Sequence, residues 1–315
     1  MAETIVTGGQ GFLGSNLVKA LVKAQREVCA TFNYTPPADP ERTKYLSHFH
    51  MDVTDFQQCR KLIMQEDPLI LYHLVAQPIV TAAMRDPLLT IELTTRGTYN
   101  LLEAVRQVGK NIRAIVFVSS DKVYGENMNA NESSPLNGTD HPYNAAKVAA
   151  DVLAQSYAKA YKLPIVISRS ANLYGPNDFH WDRIVPGVCR DIIYGRSTSI
   201  RSNGLQRRDY IHVSDGVRAL RMMADAMENE SIPSGSVFNF GGAQPHNSLE
   251  VVHRLTEIAG RIDLEPIVMD TAQDEITDQH IDYSKAMALL GWAPEIGLED
   301  GLRDTYSWYR TWFQK

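Results

Sequence analysis

The chain has 315 residues, 44% of them hydrophobic and 22% charged, ordinary values for a globular protein long enough to bury a full core without disulfides or metals. The formal net charge of -6, with Lys and Arg scattered, argues against a nucleic-acid binder, and no apolar run reaches membrane-spanning length. Cys29, Cys59 and Cys189 form no CxxC or Cys/His metal spacing, and no basic-then-apolar leader precedes the first apolar segment, so the expectation is free thiols, no metal and a cytoplasmic location.

Thr4 to Thr7 reads as a short buried strand, followed by a turn at Gly8-Gly9-Gln10-Gly11 and a helix from Phe12 to Gln25. Leu13, Leu17, Ala20, Leu21 and Ala24 share one face of that helix. Glu27 to Phe32 is a second strand, ended by the loop around Pro36-Pro37. Phe49 to Asp52 is a third strand, Phe56 to Gln65 its helix, and Leu69 to Leu74 a fourth strand. Thr90 to Val108 reads as one long helix, and Ala114 to Val118 as a fifth strand whose continuous apolar run suits a parallel sheet covered on both faces. Tyr143 to Tyr161 is helical and Ile165 to Arg169 a sixth strand.

This alternation predicts an α/β fold, a doubly wound parallel sheet of Rossmann type. From about Tyr174 the rhythm breaks into shorter pieces, with helices at Leu249 to Ala259 and Tyr283 to Leu290. The expected organisation is a dinucleotide-binding part over residues 1–174 and a smaller mixed α/β substrate part over 175–315. The segment Ser236 to Phe240 is expected to return to the main sheet.

The glycine spacing between the first strand and helix suits a dinucleotide. Gly8 permits the tight turn, Gly11 lets backbone approach a pyrophosphate, and Gly14 lets helix pack on strand. The N–H groups around Phe12 and Leu13 then face the phosphates. An acid often holds the adenosine ribose at the end of the second strand, but this chain reads Thr31-Phe32-Asn33, with no acid before Asp39 and no arginine for a 2′-phosphate. The cofactor is therefore read as NAD with NADP still open, and Asn33 is the ribose candidate. Asp52, beside Val53, either holds the adenine or caps the helix that starts near Asp55. Val75, Ala76 and Gln77 follow the fourth strand and are expected along the cofactor, although Gln77 also suits a turn cap.

Tyr143 and Lys147 stand four apart at a helix start, on one face. Free phenol titrates near 10, so a neighbouring ammonium and a nicotinamide cation would make its anion less costly. Ser119 and Ser120 end the fifth strand, where an open parallel sheet forms its crevice. Ser120 is placed to share a hydrogen bond there, and Asp121 and Lys122 supply a proton donor and acceptor.

These residues together resemble the extended short-chain dehydrogenase/reductases, the nucleotide-sugar epimerases and dehydratases. The likeness also rests on His73 to Gln77, on Ser170-Ala171-Asn172-Leu173-Tyr174-Gly175-Pro176, on Arg208-Asp209-Tyr210 and on Leu290-Gly291-Trp292. Within the family, Ser119-Ser120-Asp121-Lys122-Val123-Tyr124, the Pro36-Pro37 loop and His180 to Pro186 are most similar to the CDP-glucose 4,6-dehydratase branch. The chain departs from many relatives at Asp274-Glu275-Ile276, where they carry a diphosphate arginine.

The resemblance implies a nucleotide-diphosphate sugar as partner and Ser120, Asp121, Lys122, Tyr143 and Lys147 as catalytic residues. Asn172 and Arg208 are implied at the phosphates, and Arg183 and Arg201 are candidate nucleotide contacts. It implies a 4,6-dehydratase, with a 4-epimerase as the alternative. A base at Lys122 would need its ammonium destabilised by burial or by the nicotinamide. A homodimer is expected through Thr90 to Val108 and Ala145 to Tyr161, with Ala146, Ala149, Ala150 and Leu153 either at that interface or in the monomer core.

Overall fold

The computed structural model describes residues 2–33, 47–271 and 278–314. Pro36, Pro37, Asp39 and the Asp274 to Ile276 segment lie outside the described residues. In chain order the first part contains β1 (Thr4–Thr7), α1 (Phe12–Lys23), β2 (Val28–Phe32), β3 (Ser47–His50), α2 (Phe56–Glu66), β4 (Ile70–His73), α3 (Val80–Arg85) and α4 (Pro87–Ile91). It continues with α5 (Gly97–Val108), β5 (Ala114–Val118), β6 (Met128–Ala130), α6 (Pro142–Tyr161), β7 (Ile165–Ser170) and β8 (Asn172–Tyr174). Then come α7 (Ile184–Ile193), β9 (Ser199–Ile200), β10 (Arg207–Arg208), β11 (Tyr210–His212), α8 (Val213–Glu228), β12 (Val237–Phe240) and β13 (His246–Asn247). The chain closes with α9 (Ser248–Ala259), β14 (Ile267–Val268), β15 (Asp278–Ile281), α10 (Ser284–Leu290) and α11 (Leu298–Trp312).

Seven parallel strands form the central sheet in the order β12-β7-β5-β4-β1-β2-β3. Their side chains alternate between two apolar layers. Val6, Tyr72, Val116 and Val166 pack on one face with α1 and α8, while Ile5, Leu71, Ile115 and Ile165 pack on the other with α2, α5 and α6. A third cluster joins α7, α9 and α11 beyond the sheet. The strand order reverses between β1 and β4, so a crevice opens at their carboxyl ends, where ligands bind in such sheets. Buried His73 ties these ends together: Nδ1 lies 2.8 Å from Thr7 Oγ1 and Nε2 3.1 Å from Thr98 Oγ1. Burial pushes its pKa down to about 3, so it is a neutral structural imidazole near pH 7.

The helix read as Thr90 to Val108 starts earlier, at Pro87, where Asp86 accepts from Leu89 N, and contains a π turn at Glu92–Arg96. Ala146, Ala150 and Ala154 are fully enclosed, so these alanines complete the monomer core. The aromatic residues of α11 also pack rather than line a ligand: Trp308, Tyr309 and Trp312 meet Phe179 and Trp181. No helix among the described residues is long and apolar enough to cross a membrane, and these residues contain no metal-ligand cluster.

Candidate active site

The glycine loop connects β1 to α1 at the crevice. Gly8 adopts φ +71, open to glycine at little cost, and a Cβ on Gly14 would collide with the Gly8 carbonyl oxygen. A Cβ on Gly11 would meet only Gly8 O, at 3.3 Å, so the approach to this residue is open where the approach to Gly14 is closed. Gly11 caps α1 without a side-chain hydrogen bond, and the first turn holds no acid, which leaves the amides beyond it, around Phe12 and Leu13, suited to an anion. Ser119 Oγ is buried without a hydrogen-bond partner among the described residues. An open helix N-terminus and an orphaned hydroxyl at the ends of β1 and β5 fit a dinucleotide.

The other cofactor candidates are more occupied. Asp52 Oδ1 accepts from Thr54 N and Oγ1, at 2.9 and 2.8 Å, while the cap of α2 is Asp55. Val53 is buried against Gly97, and its carbonyl accepts from Asn100 Nδ2 at 3.1 Å. Gln77 Oε1 accepts from Ile79 N at 3.3 Å, the turn cap that its sequence position also allowed. Val75 stands across the loop from Gly8, Ala76 is half-buried beside it, and Asn33 sits half-buried beyond β2.

The acid–base residues form a continuous chain. Ser120, at the end of β5, caps a 3₁₀ turn over Asp121–Tyr124 by accepting from Lys122 N. Its hydroxyl donates to Asp121 Oδ1 at 3.1 Å and shares a hydrogen bond with the Tyr143 phenol. Lys122 Nζ lies 3.4 Å from Asp121 Oδ2. Burial is the largest influence on Lys122 and lowers its pKa; Asp121 opposes this and Arg208 adds to it.

Burial raises the pKa of Tyr143, Ser120 and Arg183 lower it, and Asp121 raises it further. Lys147 Nζ donates to Val118 O at 2.8 Å. Burial pushes Lys147 itself down to about 8, with Asp151 opposing. Arg183, which lowers the cost of ionising Tyr143, is held by Asp178 at 2.9 Å and lies over the Phe12 ring at 5.7 Å.

The sequence profile of the NAD dependent epimerase/dehydratase family matches residues 4–241. The chain belongs to this family. It is 31% identical to the dTDP-glucose 4,6-dehydratase of Mycolicibacterium smegmatis over 97% of this chain and 92% of that protein. Among solved structures it superposes on a UDP-glucose 4-epimerase from Thermotoga maritima, crystallised with UDP-glucose, with a TM-score of 0.90, 27% identity and coverage of 98% and 99% of the two chains. It also superposes on a dTDP-glucose 4,6-dehydratase from Streptomyces venezuelae, solved with NAD, with a TM-score of 0.88, 25% identity and coverage of 98% and 96%. The two dehydratases are named for dTDP-glucose rather than for the CDP sugar that the Ser119 to Tyr124 segment resembles. The protein is thus an enzyme of the NAD-dependent epimerase/dehydratase kind.

On the substrate side of this epimerase/dehydratase, Asn172 Nδ2 donates to Asp209 O at 3.2 Å, and Arg208 lies close enough to Lys122 to influence its charge. Arg201 is exposed just past β9, and its carbonyl accepts from Thr271 N. Three site elements escaped the sequence reading. Buried Arg169 binds Asp151 through Nε and Nη2, at 2.9 and 2.8 Å, and Tyr124 through Nη1 at 2.9 Å. Asp151 stands four residues beyond Lys147, a helical spacing that was available as a signal. His141 Nδ1 accepts from Tyr143 N at 3.1 Å and so caps the helix that carries the tyrosine. Gln279, from β15, reaches Lys122 with no sequence signal at all.

Proposed function

We propose that the protein is a nucleotide-sugar 4,6-dehydratase, with residues 1–174 holding the dinucleotide and the part beyond 175 holding the nucleotide sugar. The observation that carries this reading is the pairing of buried Asp121 with half-buried Lys122, joined through Ser120 to Tyr143. A 4-epimerase needs the tyrosine but has no use for a second acid and base. NAD is assigned to the glycine loop, with Gly8, Gly11, Phe12, Leu13 and Gly14 at the pyrophosphate. Ser119, Tyr143 and Lys147 are assigned to the nicotinamide side, and Val75, Ala76 and Gln77 to the crevice wall. Asn33, Asp52 and Val53 remain the adenosine candidates. Asn172, Arg183 and Arg208 are assigned to the nucleotide diphosphate, with Arg201 at its periphery.

When bound, NAD supplies a hydride acceptor for sugar C4 and afterwards a hydride donor for C6. Tyr143, as its phenolate and aided by Ser120 and Lys147, takes the C4 hydroxyl proton as hydride leaves C4, and the resulting ketone acidifies the C5 hydrogen. Asp121 and Lys122 then act as a pair. In this reading Lys122, 3.4 Å from Asp121, is the base and Asp121 the acid. Burial disfavours the Lys122 ammonium, and so favours the amine that can take a proton. The amine removes the C5 proton, the C–H electron pair becomes the C5–C6 double bond, and the C6–O bond breaks. The leaving oxygen departs as water with the Asp121 proton.

The UDP-glucose 4-epimerase likeness keeps the epimerase as the second reading. The deciding experiment incubates the purified enzyme with CDP-, GDP-, UDP- and dTDP-hexoses. A product lighter by one water is the expected result; unchanged mass with inverted C4, seen by NMR, would replace the dehydratase with the epimerase. We also assign a homodimer to the helical surface of α4 and α6, supported by exposed apolar Leu88, Ile91 and Val152 on these adjacent helices.

A further inference from the structure

Gln279 connects the C-terminal part of the chain to the acid–base pair. Its side chain is only 1% exposed. Nε2 donates to Asp121 O at 3.1 Å and to Gly125 O at 3.3 Å. Two carbonyl acceptors fix which way round the amide sits, so Oε1 is the atom turned to Lys122, and it accepts from Nζ. Lys122 Nζ thereby faces two acceptors, Gln279 Oε1 and Asp121 Oδ2. A neutral amine that donates one hydrogen to each keeps one direction over, and that direction belongs to its lone pair.

We infer that Gln279 is a positioning residue for water elimination: through a neutral acceptor it orients the Lys122 amine so that its lone pair is presented to the C5 hydrogen. This inference rests on the dehydratase reading. Neutrality of the acceptor is the physical point. A carboxylate in the same place would add a negative charge beside Nζ and hold the ammonium, which cannot take the proton. The strand around Gln279 sets the remaining charges near the base. β15 pairs with β10, which carries Arg208, and His280 Nδ1 lies 2.6 Å from Asp209 Oδ1. Asp121, Asp209 and Arg208 are therefore the charged groups that face Lys122, and Gln279 faces it without charge.

The test separates C4 oxidation from elimination in the holoenzyme, given dTDP-glucose and CDP-glucose in deuterium oxide. Reduction of the bound nicotinamide reports oxidation; deuterium entering C5 and loss of water report the later step. Gln279→Met keeps the volume but frees the amine, and elimination is expected to fall about 10- to 100-fold, the scale of a small misplacement of a reacting group. Oxidation should stay within about threefold, since Tyr143 and Ser120 are untouched. Gln279→Glu restores an acceptor but adds charge, and its elimination profile should move to higher pH while the Met variant's does not. Wild-type elimination with Met and Glu variants that eliminate at the normal rate and pH would overturn the inference alone. So would a Met or Glu variant in which oxidation and elimination fall by the same factor. A wild-type enzyme that epimerises without C5 exchange or water loss would overturn the dehydratase reading itself.

Discussion

Tyr143 is costly to ionise where it stands, because burial outweighs the Ser120 hydrogen bond and the Arg183 charge. That cost makes its role testable. Tyr143→Phe removes one oxygen from a buried ring and should lower turnover roughly 10²- to 10⁴-fold, the usual worth of a positioned acid or base. The variant should keep its bound cofactor oxidised when sugar is added, and rapid reduction of the nicotinamide would remove Tyr143 from the first step. Asp121→Asn separates the second step: C4 oxidation should persist while water loss collapses. The pH profile of elimination has a definite sign. Lys122 works as the free amine, so elimination should rise with pH through its titration. Burial and Arg208 place that rise below the ordinary lysine value of 10.5, against the opposing pull of Asp121 and Asp209. Deuterium exchange at C5 measured across pH reports the inflection; a rate that falls with pH over the same range would exclude Lys122 as base.

Catalytic geometry here depends on elements held together by one guanidinium. Arg169 leaves β7, grips Asp151 of α6 with two nitrogens and Tyr124 of the 3₁₀ turn with a third, so the helix bearing Tyr143 and Lys147 and the turn bearing Asp121 and Lys122 share one anchor. Asp151 is 0% exposed. Arg169→Met therefore leaves a buried carboxylate without its partner and should destabilise the fold by about 3–5 kcal/mol, whereas adding Asp151→Leu should recover much of that loss. Urea unfolding of the single and double variants checks it; equal losses in both would show that the pair contributes little beyond packing. This network also shows what the sequence could and could not reveal. Local period and punctuation located the strands of the main sheet, the glycine turn and the Tyr143–Lys147 face, because each is set by neighbours within a few residues. The π turn was hidden, since Thr94 and Thr95 within it use their hydroxyls on Gln77 N and Ala146 O, partners distant in sequence. Gln279 was hidden for the same reason: a polar residue on a short strand says nothing about a lysine 157 positions earlier.

At the scale of the whole molecule, the helix that carries Tyr143 and Lys147 and its neighbours expose apolar side chains. Leu88 is 69% exposed and Val152 50%, on the adjacent helices α4 and α6, while Met84 of α3 and Tyr99 of α5 are exposed nearby. Ala146 and Ala150 are buried within the monomer, so the larger exposed side chains are the contacts a second copy would use. Large apolar side chains grouped on one surface mark an interaction site more than scattered ones do. A two-fold dimer would place each such helix against its own copy, so one substitution is felt twice. Leu88→Glu with Val152→Glu should then raise the dissociation constant more than about a hundredfold, because an unpaired carboxylate in an apolar interface costs several kcal/mol or forces the interface open. Sedimentation of both proteins across a concentration series measures this. Because Tyr143, Lys147 and the Arg169 anchor of Asp151 lie inside one chain, the monomeric variant should retain its fold by circular dichroism and its bound cofactor. A wild-type chain that sediments as a monomer at every concentration, or a double variant that stays dimeric, would place the contact elsewhere on the molecule.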